Sequence, residues 1–197
     1  MAGGVLILVA GPSGAGKDSL IAAARRHLAD DPHFVFPRRI VTRADLRGED
    51  HEPVTFEEFF RAREQGAFFL AWEAHGLGYG VPRSVLDDLE QGRSVIVNVS
   101  RRAVADCRRR WLRVAVISVS VEPAILRQRL LMRGRESAAE IENRVRRATD
   151  PACEVAPPFH AFDNSADLAD TSARFIALVL SLAGRARQPK KTARHSA

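Results

Sequence analysis

An apolar run from Val5 to Ala10 leads directly into Gly11-Pro12-Ser13-Gly14-Ala15-Gly16-Lys17-Asp18-Ser19, after which the pattern turns helical. A strand that breaks into a glycine-rich loop and re-enters as a helix fixes the first βα unit, and with it the kind of sheet that can follow. The glycines let the backbone curl so that successive N–H groups point into one concavity, to which the helix start adds its positive dipole end. Such a loop holds a phosphate group with main chain alone. Lys17 supplies a mobile positive charge beside it and is the only lysine before position 190.

In the pattern G-x-x-x-x-G-K-[ST] the residue after the lysine is a hydroxyl that touches Mg²⁺. Here it is Asp18, with Ser19 one step later. An aspartate reaches Mg²⁺ directly or through water while Ser19 bonds a nearer phosphate, so Asp18 is the expected metal ligand. The competing reading is a glycine-rich turn with no ligand. It leaves three glycines and a lysine at this spacing without a reason.

The chain has 197 residues, 46% of them hydrophobic and 27% charged, which suits one soluble domain large enough to bury a core. Its apolar runs are too short to cross a membrane, and the first ten residues lack the positive stretch of a secretory signal. Cys107 and Cys153 form neither a disulfide framework nor a metal-ligand pair, so a reducing cytoplasm is expected. The net charge of +6 sits almost wholly beyond residue 184, in Arg185, Arg187, Lys190, Lys191 and Arg194. That segment, 185–197, reads as a basic, solvated tail with at most weak attraction for polyanions, and no specific nucleic-acid partner is expected.

Strands are predicted at 5–10, 35–41, 67–72, 94–99 and 114–121, with a short final one at 159–163. Helices are predicted at 17–29, 56–65, 83–91, 102–110, 124–133, 138–149 and 168–183. Two of them open on capping boxes, Thr55 with Glu58 and Ser137 with Glu140, while Gly66 and Gly92 sit where helices should stop. This alternation predicts an α/β fold, a mostly parallel sheet with helices on both faces and its ligands at the carboxyl ends of the strands.

Three further regions carry chemistry. Arg129 and Arg133 share a helix face, Gly134 breaks that helix, and a second helix from Ser137 carries Arg144. Two helices joined by this turn make either a hinged lid whose guanidinium groups close over a triphosphate or an exposed helix studded with arginines. The arginines Arg38, Arg39, Arg43 and Arg47, with Glu49 and His51, follow a strand and precede a capped helix, where they are placed to clamp a second anion. Tyr79, the only tyrosine, is flanked by glycines and reads as a phenol presented by a tight turn. Taken singly, Trp72 and Tyr79 also suit packing, and His51 and His75 also suit a polar surface. At the end of the predicted 94–99 strand, where a carboxylate would serve a metal, stands Asn98, followed by Ser100 and Arg101. That shifts the metal burden toward Asp18.

Taken together, these regions resemble the guanylate kinase family of P-loop phosphotransferases over about residues 4–183. The matching positions are the loop Gly11 to Lys17, Thr42-Arg43 with Arg47 and Glu49, the His75-Gly76…Tyr79-Gly80 turn, and the spacing of Arg129, Arg133 and Arg144. The resemblance implies a P-loop kinase fold at 1–184, with an acceptor-binding insert at about 38–82 and a lid at about 129–146. It implies ATP and Mg²⁺ as cofactors, Lys17, Arg133 and Arg144 as catalytic cations, and Arg129 at the nucleotide. It places Arg39, Arg43, Arg47, Glu49, His51, His75, Tyr79 and Arg101 at the acceptor, with Asp163 and Asn164 near the adenine end.

Two departures bear on the acceptor. Where the family's guanine-reading glutamate would stand, this chain has Ala71, and where the family has a tyrosine on a GMP phosphate, the local sequence is Pro53-Val54-Thr55. The pattern closely resembles one branch of that family, the ribose 1,5-bisphosphate phosphokinases of bacterial phosphonate degradation. That implies a sugar bisphosphate acceptor, converted to 5-phospho-α-D-ribose 1-diphosphate. A nucleoside monophosphate kinase and a catalytically silent interaction module remain as alternatives. Oligomeric state is not legible.

Overall fold

The computed structural model describes residues 3–44, 50–74, 76–134, 137–150 and 155–184, and for Arg133 the backbone alone. Arg47, Glu49, His75, the Arg133 side chain and the basic tail therefore lie outside the described residues.

Five strands, β1 (Leu6–Ala10), β2 (Phe34–Val35), β7 (Ser94–Asn98), β8 (Val114–Ser120) and β9 (His160–Asp163), form one sheet in the order β2-β7-β1-β8-β9. Every pairing in it is parallel. Each residue of β1 and β7 is buried, as the unbroken apolar runs require when both faces of a parallel sheet are covered. The two faces separate by the period of two. Leu6, Leu8 and Ala10 pack with Val85, Leu89, Val104 and Cys107 of α3 (Val85–Glu90) and α4 (Ala103–Arg110). Ile7 and Val9 pack on the other side with Leu20, Ala24, Phe175 and Val179 of α1 (Lys17–His27) and α7 (Leu168–Leu182). Burying side chains of this size is worth about 1.5–3 kcal/mol each, which holds the carboxyl end of β1 in place. Burial also pushes the Cys107 thiol up to about 12, an inert core group.

A second sheet differs from expectation. The predicted strand at 35–41 is two strands in different sheets: β2 ends at Val35, and β3 (Arg39–Val41) begins after Pro37, which has no N–H for a ladder. With β4 (His51–Pro53), β5 (Phe68–Ala74) and β6 (Leu77–Pro82), β3 makes a mixed sheet in the order β4-β3-β6-β5. Tyr79 is therefore mid-strand rather than in a tight turn. The turn lies at Gly76, with φ +71°. Gly78 and Gly80 serve a different purpose, because a Cβ there would sit 2.8 Å from a ring carbon of Phe59 and 2.5 Å from one of Phe68. Their bare backbone lets those rings pack flat on β6.

The capping boxes form as predicted, at Thr55 before α2 (Phe56–Glu64) and at Ser137 before α6 (Ala138–Thr149). α5 (Pro123–Arg133) ends at Gly134 in the left-handed region, and α5 and α6 share a small core of Leu126, Leu130, Ile141 and Val145. Among the described residues no helix is long and apolar enough to cross a membrane.

Candidate active site

The loop between β1 and α1 follows from its glycines. Gly14 and Gly16 take φ +90° and +84°. At Gly11 a Cβ would lie 2.3 Å from the Val119 carbonyl oxygen of β8. Gly16 caps α1 with no side-chain hydrogen bond, so the first-turn N–H groups face the concavity, the arrangement in which a helix start binds an anion.

Lys17 lies across the loop, its Nζ donating to the carbonyls of Gly11 at 3.0 Å and Pro12 at 2.7 Å. The ammonium is thus poised at the rim where a phosphate would replace those carbonyls. Behind the loop stands a brace that the sequence did not disclose. Asn164, buried after β9, donates its Nδ2 to the Ala15 carbonyl at 2.7 Å, and Arg129 donates to the Asn164 carbonyl at 2.9 Å. Asn164, expected near the adenine end, and Arg129, expected at the nucleotide, thereby support the loop's shape.

Asp18 and Asn98, expected to share a duty, do meet: Asn98 donates its Nδ2 to Asp18 Oδ1. Arg39, only 8% exposed, brings a guanidinium 3.9 Å from the same carboxylate and 5.5 Å from the Tyr79 ring centre. Tyr79 in turn stacks on Trp72. Arg39, Tyr79, Trp72 and Arg101 line one cleft with the phosphate loop and Asn98.

The α5–α6 pair comes to the other side. Arg144 of α6 donates to the Ser13 hydroxyl at 2.7 Å, and Arg101 donates to the Arg147 carbonyl at 3.3 Å, so the second helix touches both the loop and the end of β7. Arg144 thus reaches the phosphate loop from the second helix.

One residue near Arg43 plays a part other than that expected. His51 is wholly buried, with Nε2 donating to the Arg43 carbonyl at 2.9 Å, so it neither lines the cleft nor decorates the surface. It fixes the backbone from which Arg43 projects. Asp50 receives hydrogen bonds from Arg25 of α1 and from Arg38, the latter at 2.8 Å, pinning the second sheet to the first helix. The Arg25 hydrogen bond, partly offset by burial and reinforced by the Arg25 and Arg38 charges, holds the Asp50 carboxyl below the usual carboxylate range.

Comparison with known proteins agrees with this geometry. The guanylate kinase family profile matches residues 4–173. The ribose 1,5-bisphosphate phosphokinase PhnN of Acidiphilium cryptum is 54% identical over 148 residues, 75% of this chain and 79% of that protein. The protein of the same name from Brucella melitensis is 46% identical over 145 residues, covering 73% and 76%. Among solved structures, guanylate kinase from Anaplasma phagocytophilum superposes with a TM-score of 0.64 at 22% identity, over 92% of this chain and 87% of that one, a likeness of fold. The chain therefore belongs to the guanylate kinase family and groups within it with the ribose 1,5-bisphosphate phosphokinases.

Proposed function

We propose that this chain transfers the terminal phosphoryl group of ATP to the 1-phosphate of ribose 1,5-bisphosphate, giving 5-phospho-α-D-ribose 1-diphosphate and ADP. The observation that carries this reading is the scarcity of bases in the cleft. Among the described residues that line it, Asp18 is the only carboxylate and there is no histidine. Asp18 itself is engaged by Asn98. A hydroxyl acceptor asks for a general base, whereas a sugar 1-phosphate is already ionised at neutral pH and its oxygen attacks directly. One P–O bond forms to the 1-phosphate, one breaks to ADP, and no proton has to be moved. With Ala71 in place of a base-reading carboxylate, nothing at that position selects a guanine.

Catalysis then reduces to bringing polyanions together and neutralising their repulsion. Lys17 and the loop N–H groups hold the donor phosphates. Arg144, already against Ser13, covers them from the lid. Arg39 and Arg101, with Arg43 projecting from the segment held by His51, take the acceptor phosphates. Replacing Arg144 by alanine is expected to lower kcat about 10²-fold, and replacing Arg43 to raise chiefly the acceptor KM by about tenfold, since lid cations meet developing charge and clamp cations meet a ground-state phosphate. Steady-state kinetics on both variants checks the division. Equal signatures would refute it.

Asp18 suits magnesium. Its side chain is 36% exposed beside the loop, and no group of three or more His, Cys, Asp or Glu forms a cage among the described residues. That agrees with a cation held by one carboxylate, phosphates and water. Magnesium supplies charge neutralisation when it arrives with the nucleotide. In Asp18→Asn the amide oxygen can still accept from Asn98 while the charge is lost, so the variant isolates electrostatics. Apparent Mg²⁺ affinity is expected to weaken by about tenfold, with activity partly restored at high Mg²⁺. Asp18→Ser combined with Asn98→Asp should recover more than Asp18→Ser alone. A magnesium titration of Asp18→Asn that overlays the wild type would remove the carboxylate from the metal site.

The product itself tests the assignment. In ³¹P NMR of the reaction with ATP and ribose 1,5-bisphosphate, a coupled pair of diphosphate resonances distinct from those of ADP is expected. Hydrolysis of ATP with the sugar bisphosphate unchanged would contradict it.

A further inference from the structure

The second sheet places three side chains in a row on the cleft side. Trp72 of β5 lies opposite Tyr79 of β6 in register, and their rings stack with centres 5.3 Å apart and planes within 7°. On the other side of β6 runs β3, whose Arg39 brings its guanidinium over the Tyr79 ring at 5.5 Å. Trp72 is half-buried and packs against the core cluster that holds Val97 and Val99. Beneath the row, Phe59 and Phe68 press on Gly78 and Gly80 and fix the height of β6. Tyr79 is thus flanked on both sides, with its ring faces taken by an indole and a guanidinium. It meets the cleft edge-on.

We propose that the Arg39–Tyr79–Trp72 row is an acceptor filter in which Trp72 is the positioning residue. Aromatic side chains hold nucleobases by offering a ring face for stacking, and here the faces are already occupied within the protein. Trp72 keeps Tyr79 upright against Arg39 and closes the space a flat base would need. A small phosphosugar asks only for hydrogen bonds and charge from the edges of the row. Selectivity then comes from exclusion as much as from attraction. The inference rests on the sugar bisphosphate reading above and deepens it, naming what keeps nucleotides out.

The test compares wild type with Trp72→Ala, Trp72→Leu and Trp72→Phe, measuring KM for ribose 1,5-bisphosphate and the inhibition constant of GMP against it. A merely structural tryptophan would weaken both ligands together. The filter predicts the opposite signs: KM for the sugar bisphosphate rises while GMP binds about tenfold more tightly in the alanine and leucine variants. Trp72→Phe, which keeps a ring against Tyr79, should stay close to wild type. The leucine variant, which preserves apolar packing, carries the test should the alanine variant not fold. Unchanged or weakened GMP binding in both would overturn the filter. Should the wild type itself turn over GMP faster than ribose 1,5-bisphosphate, the acceptor reading fails instead, whatever the Trp72 variants do.

Discussion

Lys17→Ala is expected to lower kcat/KM by about a thousandfold while leaving the fold intact, the magnitude of losing a preorganised cation at a transferring phosphoryl group. The structure separates the two effects. At rest the ammonium donates to the carbonyls of Gly11 and Pro12, at the rim of the loop. Its removal leaves the hydrophobic core clusters untouched and costs about 1 kcal/mol, or roughly 2–4 °C in Tm. Because the charge acts mainly as phosphate charge develops, kcat should fall more than KM rises. Steady-state kinetics together with a thermal melt checks both halves. Activity within tenfold of wild type on a folded variant would remove Lys17 from the reaction.

The second large effect is expected at Gly16, where one methyl group meets two obstacles. The residue holds φ +84°, which costs an L side chain about 1–2 kcal/mol, and its Cβ would lie 2.5 Å from Asn164 Nδ2. Asn164 cannot retreat without giving up its bond to the Ala15 carbonyl, which leaves a buried amide unsatisfied at about 1–3 kcal/mol. Gly16→Ala should therefore lose about 2–4 kcal/mol, roughly 5–15 °C in Tm, and also turn over about 10²-fold more slowly at a temperature where it is folded, because the loop's N–H groups no longer converge. Gly92→Ala is the matched control. It shares the left-handed backbone, φ +80°, but a Cβ there meets nothing within 4 Å, so only the backbone strain remains. Equal losses in the two variants would show that the Asn164 brace is not structural.

Legibility in the sequence follows the range of the interactions. The loop from Gly11 to Ser19 is local, and its glycines, lysine and flanking apolar run spell out the geometry observed. Four of the five parallel strands, β1, β7, β8 and β9, and the two capping boxes were legible for the same reason: periodicity and caps act within a few residues. The acceptor side was harder. β3 and β4 have three residues each, too short for any pattern to register, and β3 joins the rest of its sheet through β6, beyond α2 and β5. Pro37 was the available sign that one strand was really two. Gly78 and Gly80 suggested a turn because glycine usually does, and their purpose emerges only when Phe59 and Phe68 arrive from α2 and β5. His51 offered no local hint of its burial. The Asn164 brace joins residues at opposite ends of the chain, and the Arg144–Ser13 contact likewise crosses most of its length. Side-chain chemistry named the participants at those positions, but only the fold could say which of them touch.

A site of this kind is proposed to serve a base-free phosphosugar. The most direct test of that proposal is an acceptor panel with ATP and Mg²⁺, comparing kcat/KM for ribose 1,5-bisphosphate, GMP and AMP on the same enzyme preparation. The arrangement of Lys17, Arg39, Arg101 and Arg144 around a cleft with a closed Tyr79–Trp72 stack, and Ala71 in β5 where the family has its guanine-reading glutamate, predicts a preference for the sugar bisphosphate of about a hundredfold or more over either nucleotide. Faster turnover of GMP than of ribose 1,5-bisphosphate would contradict it.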